Sequence, residues 1–352
     1  MDATMLGLNG FANDSNWVLD AGRDYPRLAW EGTAGQIIPE PNIEWLDGNG
    51  TAEAPYLVDT ADQLILLSRA SALWDKHFVL GADIDFDRSL SKTPVFTQSP
   101  IQLFTGVFDG KDHTISHLTI KSVGSYVGLF GRLESGGEVK NLGVVDVNIS
   151  GDGYVGGLVG WSQSGSVADC YSTGVVTAAG SDVGGLVGYN RGSVTRSYSM
   201  ALVSGYEYVG GLVGGNSNSG TVSNSYSTGS VSASYDVGGL VGYNSGTVSN
   251  SYSTGVTARR PYYTGGSIIG GLVGKTYSSA TVTRCFWDTQ TSGKTTSSGG
   301  TGKTTAKMQT ASTFLDAGWD FVGETANGTE DIWWINEGKD YPRLGWELFD
   351  NR

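Results

Sequence analysis

Residues 155–160 read VGGLVG, and the same six letters return beginning at Val183, Val209 and Val237. A fifth copy at 269–274 reads IGGLVG, and a diverged one at 127–131 reads VGLFG. The glycines after the first apolar residue, at 128, 156, 184, 210, 238 and 270, lie 28, 28, 26, 28 and 32 residues apart. A period near 28 with small slippage means stacked units, each burying its apolar face only against its neighbours.

Every unit carries a second line: SVADCYSTG at 166–174, SVTRSYSMA at 193–201, TVSNSYSTG at 221–229 and 247–255, and TVTRCFWDT at 281–289. The intervening stretches are rich in Val, Thr and Ser and are broken by Gly, Asn and Asp, which is strand composition with turn punctuation. No unit has room for a helix. Glycine alone supplies 54 of 352 residues, about double the usual ~7 percent, and suits tight corners that exclude a Cβ or need a positive φ. Propeller blades of ~40 residues, leucine-rich repeats and two-helix repeats fit worse. The expected fold is all-β: a right-handed parallel β-solenoid of about three short strands per 28-residue coil, over residues 104–290.

The flanks differ. Residues 32–103 form an N-terminal cap, in which Thr60 and Gln63 mark a capping box and Leu64, Leu67 and Leu73 give a helical stripe, predicting a helix over 61–73. Residues 291–352 form a low-complexity loop, SGKTTSSGGTGKTT at 292–305, followed by an aromatic tail with Trp319, Phe321, Trp333, Trp334, Tyr341 and Trp346. Residues 334–347, WINEGKDYPRLGWE, match 17–31, WVLDAGRDYPRLAWE, with one residue's difference in spacing. Residues 1–31 therefore read as the end of another module. A segment of a tandem array is preferred over one chain with a copy at each end; if residues 1–31 dock on another chain, the assembly is head-to-tail and open rather than a closed dimer, so neighbouring modules or further copies of this chain are the candidate partners.

With 22 Lys plus Arg against 35 Asp plus Glu, a formal charge of −13 disfavours nucleic acid as a partner. No apolar run approaches the ~18 residues of a membrane span, so direct membrane insertion is not expected. The N-terminus lacks a signal-peptide pattern; for an exported protein the signal would lie upstream. Cys170 and Cys285 occupy one repeat position four coils apart, roughly 19 Å at ~4.8 Å per coil, too far for a disulfide. Two free thiols are expected. The other copies have Ser197, Ser225 and Ser251 there, which suits a small buried site and turns the next residue the other way. Those next residues are Tyr171, Tyr198, Tyr226, Tyr252 and Phe286, either an outward column able to contact sugars or proteins, or a stack returned to the core by a bend.

The residues quoted above resemble the GLUG-motif family, whose signature is a GGLVG core followed by N-x-G-x-V-x-x-S-Y-S-T-G. Residues 238–255 read GGLVGYNSGTVSNSYSTG. The resemblance covers about 104–290 and implies a secreted, adhesin-like bacterial surface protein. Some relatives accompany peptidases that cut immunoglobulin A, but their HExxH zinc motif is absent around His77, His113 and His117, so peptidase activity does not carry over.

Asp83, Asp85 and Asp87 alternate along ADIDFD and could converge on calcium, although Arg88 and Pro94 stand where an EF-hand loop needs Gly and Glu. The default is a solvated strand face and no cofactor. Asp109 and Asp112 in FDGKDH could form a glycosidase pair, or cap a Gly-Lys turn. His113 and His117 lie on a strand-like segment, where their spacing does not make a metal site. Arg191, Arg196, Arg284 and Lys275 are scattered, and the GKT at 302–304 lacks the first glycine of a phosphate loop, Ser297 standing there. The expected function is a non-catalytic extracellular structural or adhesive module presenting a surface to glycan or protein partners. The rival is a polysaccharide lyase or glycoside hydrolase on the same scaffold.

Overall fold

The computed structural model describes residues 45–87, 93–217, 219–260 and 268–348, with the backbone pairs at 17–18 and 27–28. The chain divides into two units, Met1–Trp45 and Leu46–Arg352. In the first, Trp17–Val18 pairs antiparallel with Arg27–Leu28, Trp17 facing Leu28; the rest of 1–31 lies outside the described residues. In the second, Trp333–Trp334 pairs antiparallel with Arg343–Leu344, Trp333 facing Leu344. This register corrects the spacing of the duplication: Trp17 corresponds to Trp333, and the two copies align without a gap.

The second unit is a parallel β-solenoid. Four sheets surround each coil rather than three strands, because VGGLVG straddles a corner. Its first Val-Gly belongs to a five-stranded sheet running from Val155–Gly156 to Ile269–Gly270, and its second to a seven-stranded sheet running from Ile101–Phe104 to Val273–Thr276. A nine-stranded sheet runs from Tyr56–Val58 to Thr281–Thr283, and a 13-stranded sheet closes the coil. Coils stack in register: Val155 on Val183, then Val209, Val237 and Ile269. The corner leucines Leu158, Leu186, Leu212, Leu240 and Leu272 are all fully buried, so each unit fills its centre with the same side chains.

The corner glycines are required by proximity. A Cβ on Gly185 would stand 2.0 Å from Ser199 Oγ and 2.3 Å from the Gly211 carbonyl oxygen. Many left-handed positions are taken by non-glycine residues such as Asp169, Asn224 and Asn250, with φ of 53°, 49° and 46°, Asn and Asp being the side chains that tolerate it best.

The two ends of the stack carry different elements. At the N-terminal side, Ala61–Leu67 is helical with the reciprocal Thr60–Gln63 capping box, and it buries Leu64 and Leu67. The helix is shorter than the 61–73 expected, since Ser71–Leu73 tightens into a separate 3-10 turn. At the other side the low-complexity loop is ordered as an edge cap. Gly271 N donates to Thr296 O, Ser298 N donates to Val273 O, and Ser297 Oγ accepts from Val273 N at 2.9 Å. Backbone groups that would otherwise template aggregation are thereby paired.

Candidate functional site

The SxxxCY line bends at its left-handed residue. Asp169, Arg196, Asn224, Asn250 and Arg284, all at positive φ, break strand alternation so that Cys170, Ser197, Ser225, Ser251 and Cys285 point inward, each at 2% exposure or less. The serines are hydrogen-bonded between coils: Ser197 Oγ accepts from Cys170 N at 3.1 Å, and Ser225 Oγ from Ser197 N at 3.2 Å. Both cysteines are free and buried. Burial pushes the Cys285 thiol up to about 12 and raises Cys170 as well. Neither thiol should react with a thiolate-trapping reagent in the native protein at pH 8, and two equivalents should react once denaturant is added; a fast native equivalent would contradict this burial.

The next residue in each line faces outward, yet it is not open. Tyr171, Tyr198, Tyr226 and Tyr252 stack at centroid distances of 4.9, 4.8 and 5.0 Å with interplanar angles of 13°, 10° and 5°. The C-terminal tail lies over them: Trp346 stacks on Tyr198 at 5.7 Å, Trp333 sits 6.0 Å from Tyr252, and Phe314 meets Phe286 edge-on at 5.4 Å. Tyr198, Tyr226, Tyr252 and Phe286 are buried in one cluster with Met308, Trp319, Trp333 and Leu344. The two sequence alternatives thus each hold in part, because the rings leave the solenoid core and the tail buries them. In this chain the surface expected to contact glycan or protein is occupied by residues 305–348.

Polar ties fix the tail. Tyr252 donates to the Pro342 carbonyl, and Trp346 Nε1 to the Arg196 carbonyl at 3.1 Å. Glu347 accepts from Tyr226 Oη at 3.0 Å and from Leu344 N at 2.7 Å. Burial raises the Glu347 carboxyl to about 7 from an ordinary 4.5, despite these hydrogen bonds. The folded state therefore holds a proton that the unfolded chain releases between pH 4.5 and 7. This contribution to stability is complete below pH 4.5 and is lost as pH rises to 7, by about 3 kcal/mol. Buried Asp182, also raised to about 7, adds a slope of the same sign. Subtracting the pH profile of Glu347→Gln from that of the parent, by denaturant unfolding between pH 5 and 8, should isolate the Glu347 share; identical profiles would refute it.

The acidic candidates are otherwise engaged. Asp83 Oδ1 accepts from Thr114 N at 2.8 Å and meets His113 Nδ1 at 3.2 Å, while Asp85 Oδ1 meets His117 Nδ1 at 2.7 Å and accepts from Asp87 N. The hydrogen bond to Asp85 raises His117. Asp83, Asp85 and Asp87 do not converge as a calcium site: among the described residues, no three His, Cys, Asp or Glu side chains are placed to hold a metal. Asp109 accepts from Asn141 Nδ2 and from its own turn at Lys111 N, both at 2.9 Å, and ion-pairs with Lys111. Burial works to raise its carboxyl, but these partners hold it below the ordinary value, the wrong direction for a general acid.

Two features escape the sequence reading. Asn190, Asn216 and Asn244 are fully buried and form a ladder, Asn190 Nδ2 donating to Asn216 Oδ1 and Asn216 Nδ2 to Asn244 Oδ1, both at 2.9 Å. The second is an aromatic stripe on the outer corner before the seven-stranded sheet. One row contains Tyr126, Tyr154, Asp182, Tyr208 and Asp236, all at positive φ; the other, in strand register, contains Arg132, Trp161, Tyr189, Gly215, Tyr243 and Lys275. The rows interleave. Tyr126 stacks on Tyr154 at 5.0 Å and 3°, and Arg132 lies 4.7 Å over Trp161. At the other end Lys275 lies 5.9 Å from the Tyr208 ring and 5.4 Å from that of Tyr277. Because the first row mixes Tyr and Asp, no fixed letter marks it; the signal was the variable residue just before each Val-Gly.

This architecture defines a repeat protein of the parallel β-solenoid class, with sequence-identical residues stacked coil upon coil. Within that class it carries the GLUG motif, matched at residues 151–177, 205–232 and 233–258. The chain is 34% identical over 299 residues to halomucin of Haloquadratum walsbyi, covering 81% of this chain and 3% of halomucin. It is 43% identical over 82 residues to a protein of Evansella cellulosilytica described as a candidate Gly-rich membrane protein, covering 22% of this chain and 8% of the relative. The chain thus spans a small part of either relative's length. A solved structure described as a candidate immunoglobulin A1 protease from Bacteroides ovatus superimposes with a TM-score of 0.60 at 22% identity, over 85% of this chain and 94% of that one. This last likeness is one of fold.

Proposed function

We propose that this chain is a non-catalytic, extracellular repeat module that holds a binding surface for glycan or protein partners on a rigid solenoid. The observation that carries the reading is the outward aromatic stripe, repeated across the coils. Its rings remain partly exposed, whereas the tyrosine column is closed by the tail. The similarity to halomucin supports a surface location. Asp109, one of the two carboxylates weighed as a glycosidase pair, is held in its own turn with its carboxyl below the ordinary value, which supports recognition over hydrolysis.

Two measurements test the reading. Protease added to intact producing cells should cleave the protein without lysis, and the purified chain should release no reducing ends or unsaturated sugars from polysaccharides. Product release would favour the lyase or hydrolase alternative, and full protection in intact cells would remove the extracellular assignment.

A further inference from the structure

Residues 333–347 are the part of the tail that grips the tyrosine column. Trp346 stacks on Tyr198, and Glu347 accepts from Tyr226 Oη. Tyr252 is held by Trp333, by the Pro342 carbonyl and by the Tyr341 ring, stacked at 6.3 Å and 17°. Tyr341 Oη also donates to the buried Asp288 at 2.8 Å. One short hairpin thus meets three rings that lie 4.8 and 5.0 Å apart, and its fit depends on the coil spacing as much as on the side chains.

The chain carries this hairpin twice. Aligned without a gap, Trp17, Tyr25, Pro26, Trp30 and Glu31 stand at the places of Trp333, Tyr341, Pro342, Trp346 and Glu347, so each contact just named has its counterpart. The backbone pairing is also the same: Trp17 faces Leu28 and Val18 faces Arg27, as Trp333 faces Leu344 and Trp334 faces Arg343. Two departures, Ala21 for Glu337 and Ala29 for Gly345, fall where the tail meets its own backbone at Ala311 and Asp331, not the column.

One column takes one cover. Among the described residues the column of this chain is already closed by 305–348, with Tyr226 and Tyr252 only 4% and 1% exposed. A second copy of the chain offers no vacancy either, since it brings its own tail. The spare hairpin therefore matches a column without a cover of its own, where Trp and Tyr would supply the large apolar contact that anchors an interface.

We propose that residues 17–31 form an interaction surface that caps the tyrosine column of another solenoid of this repeat type, with Trp17, Tyr25, Trp30 and Glu31 seated on three successive coils. None of the aromatic stripe's residues takes part, so this surface and the recognition reading of the stripe stand or fall separately.

The test is capture between full-length chains. The bait has both covers weakened by Trp17→Ala, Trp30→Ala, Trp333→Ala and Trp346→Ala together, which opens its column; the prey is the parent chain. Immobilised bait should hold the parent, and immobilised parent should not. Trp17→Ala with Trp30→Ala in the prey should weaken capture about tenfold or more, as should Tyr198→Ala added to the bait. Tyr277→Ala in the bait, on the aromatic stripe, should leave capture unchanged. A second bait, with Trp17→Ala, Trp30→Ala, Trp346→Ala and Glu347→Ala, keeps the buried Trp333 and opens only the end at Tyr198 and Tyr226; it should hold the parent more weakly but with the same dependence on Trp30. Failure of both baits to hold the parent, or capture that is indifferent to Trp17 and Trp30 in the prey, would overturn the assignment.

Discussion

Replacing Trp333 by Ala should destabilise the chain by about 3 to 5 kcal/mol, the usual range for removing a large buried aromatic. Trp333 is fully buried, lies 4.6 Å from Trp319, and touches the Tyr226 and Tyr252 rings at 6.3 and 6.0 Å. The loss should fall on the tail, since the solenoid's own ladders do not pass through this residue. Equilibrium unfolding should show an early transition with exposed apolar surface, read as dye binding, while the parallel ladders persist in far-ultraviolet circular dichroism. A cost under about 1 kcal/mol would mean that the tail is held elsewhere.

Asn216→Ala should act on the solenoid itself. The substitution removes the bonds from the Asn190 amide to Asn216 Oδ1 and from Asn216 Nδ2 to Asn244 Oδ1, each at 2.9 Å, and those from Asn216 Nδ2 to the Gly220 and Thr247 carbonyls. A buried hydrogen bond contributes about 0.5 to 1.5 kcal/mol net, so losing this set together should cost about 2 to 5 kcal/mol. Asn244→Ala should cost less, because its Nδ2 has no partner in the native chain and the following coil places Thr276 at that position. Equal losses at the two positions, by denaturant melts, would mean that the ladder does not act as a chain of paired amides.

The solenoid was legible because its physics is local and periodic. A side chain facing the core in one coil meets its counterpart one period away, so VGGLVG and the CYSTG line announce both the stack and the inward set. The alternation argument separated Cys170 from Tyr171 correctly, and the capping box fixed the start of the helix. What lay hidden joins residues with no common period. Trp346 and Arg196, Tyr226 and Glu347, or Tyr252 and Pro342 are bonded across 150, 121 and 90 residues, and nothing in the spacing of aromatic residues says which column the tail will cover. Asp83 and Asp85 misled for a related reason: their partners His113 and His117 come from the next coil, where strand pairing of Ile84 with Ile115 sets them opposite. The Asn ladder stood in the repeat line as YN and GN, but an Asn beside Gly reads first as a turn.

A stack of repeats ordinarily unfolds as a chain of nearest neighbours, each coil opening at a cost set by its two interfaces. The tail alters that statistics. By touching the coils of Tyr171, Tyr198, Tyr226, Tyr252 and Phe286 at once, it couples coils that share no interface, so that none of the five can open without giving up the common cover. The coils before Tyr171 receive no such coupling from these contacts. The molecule accordingly has two cooperativity regimes within one uninterrupted β-structure: a C-terminal block that melts in a single step, and an N-terminal stretch that can fray coil by coil.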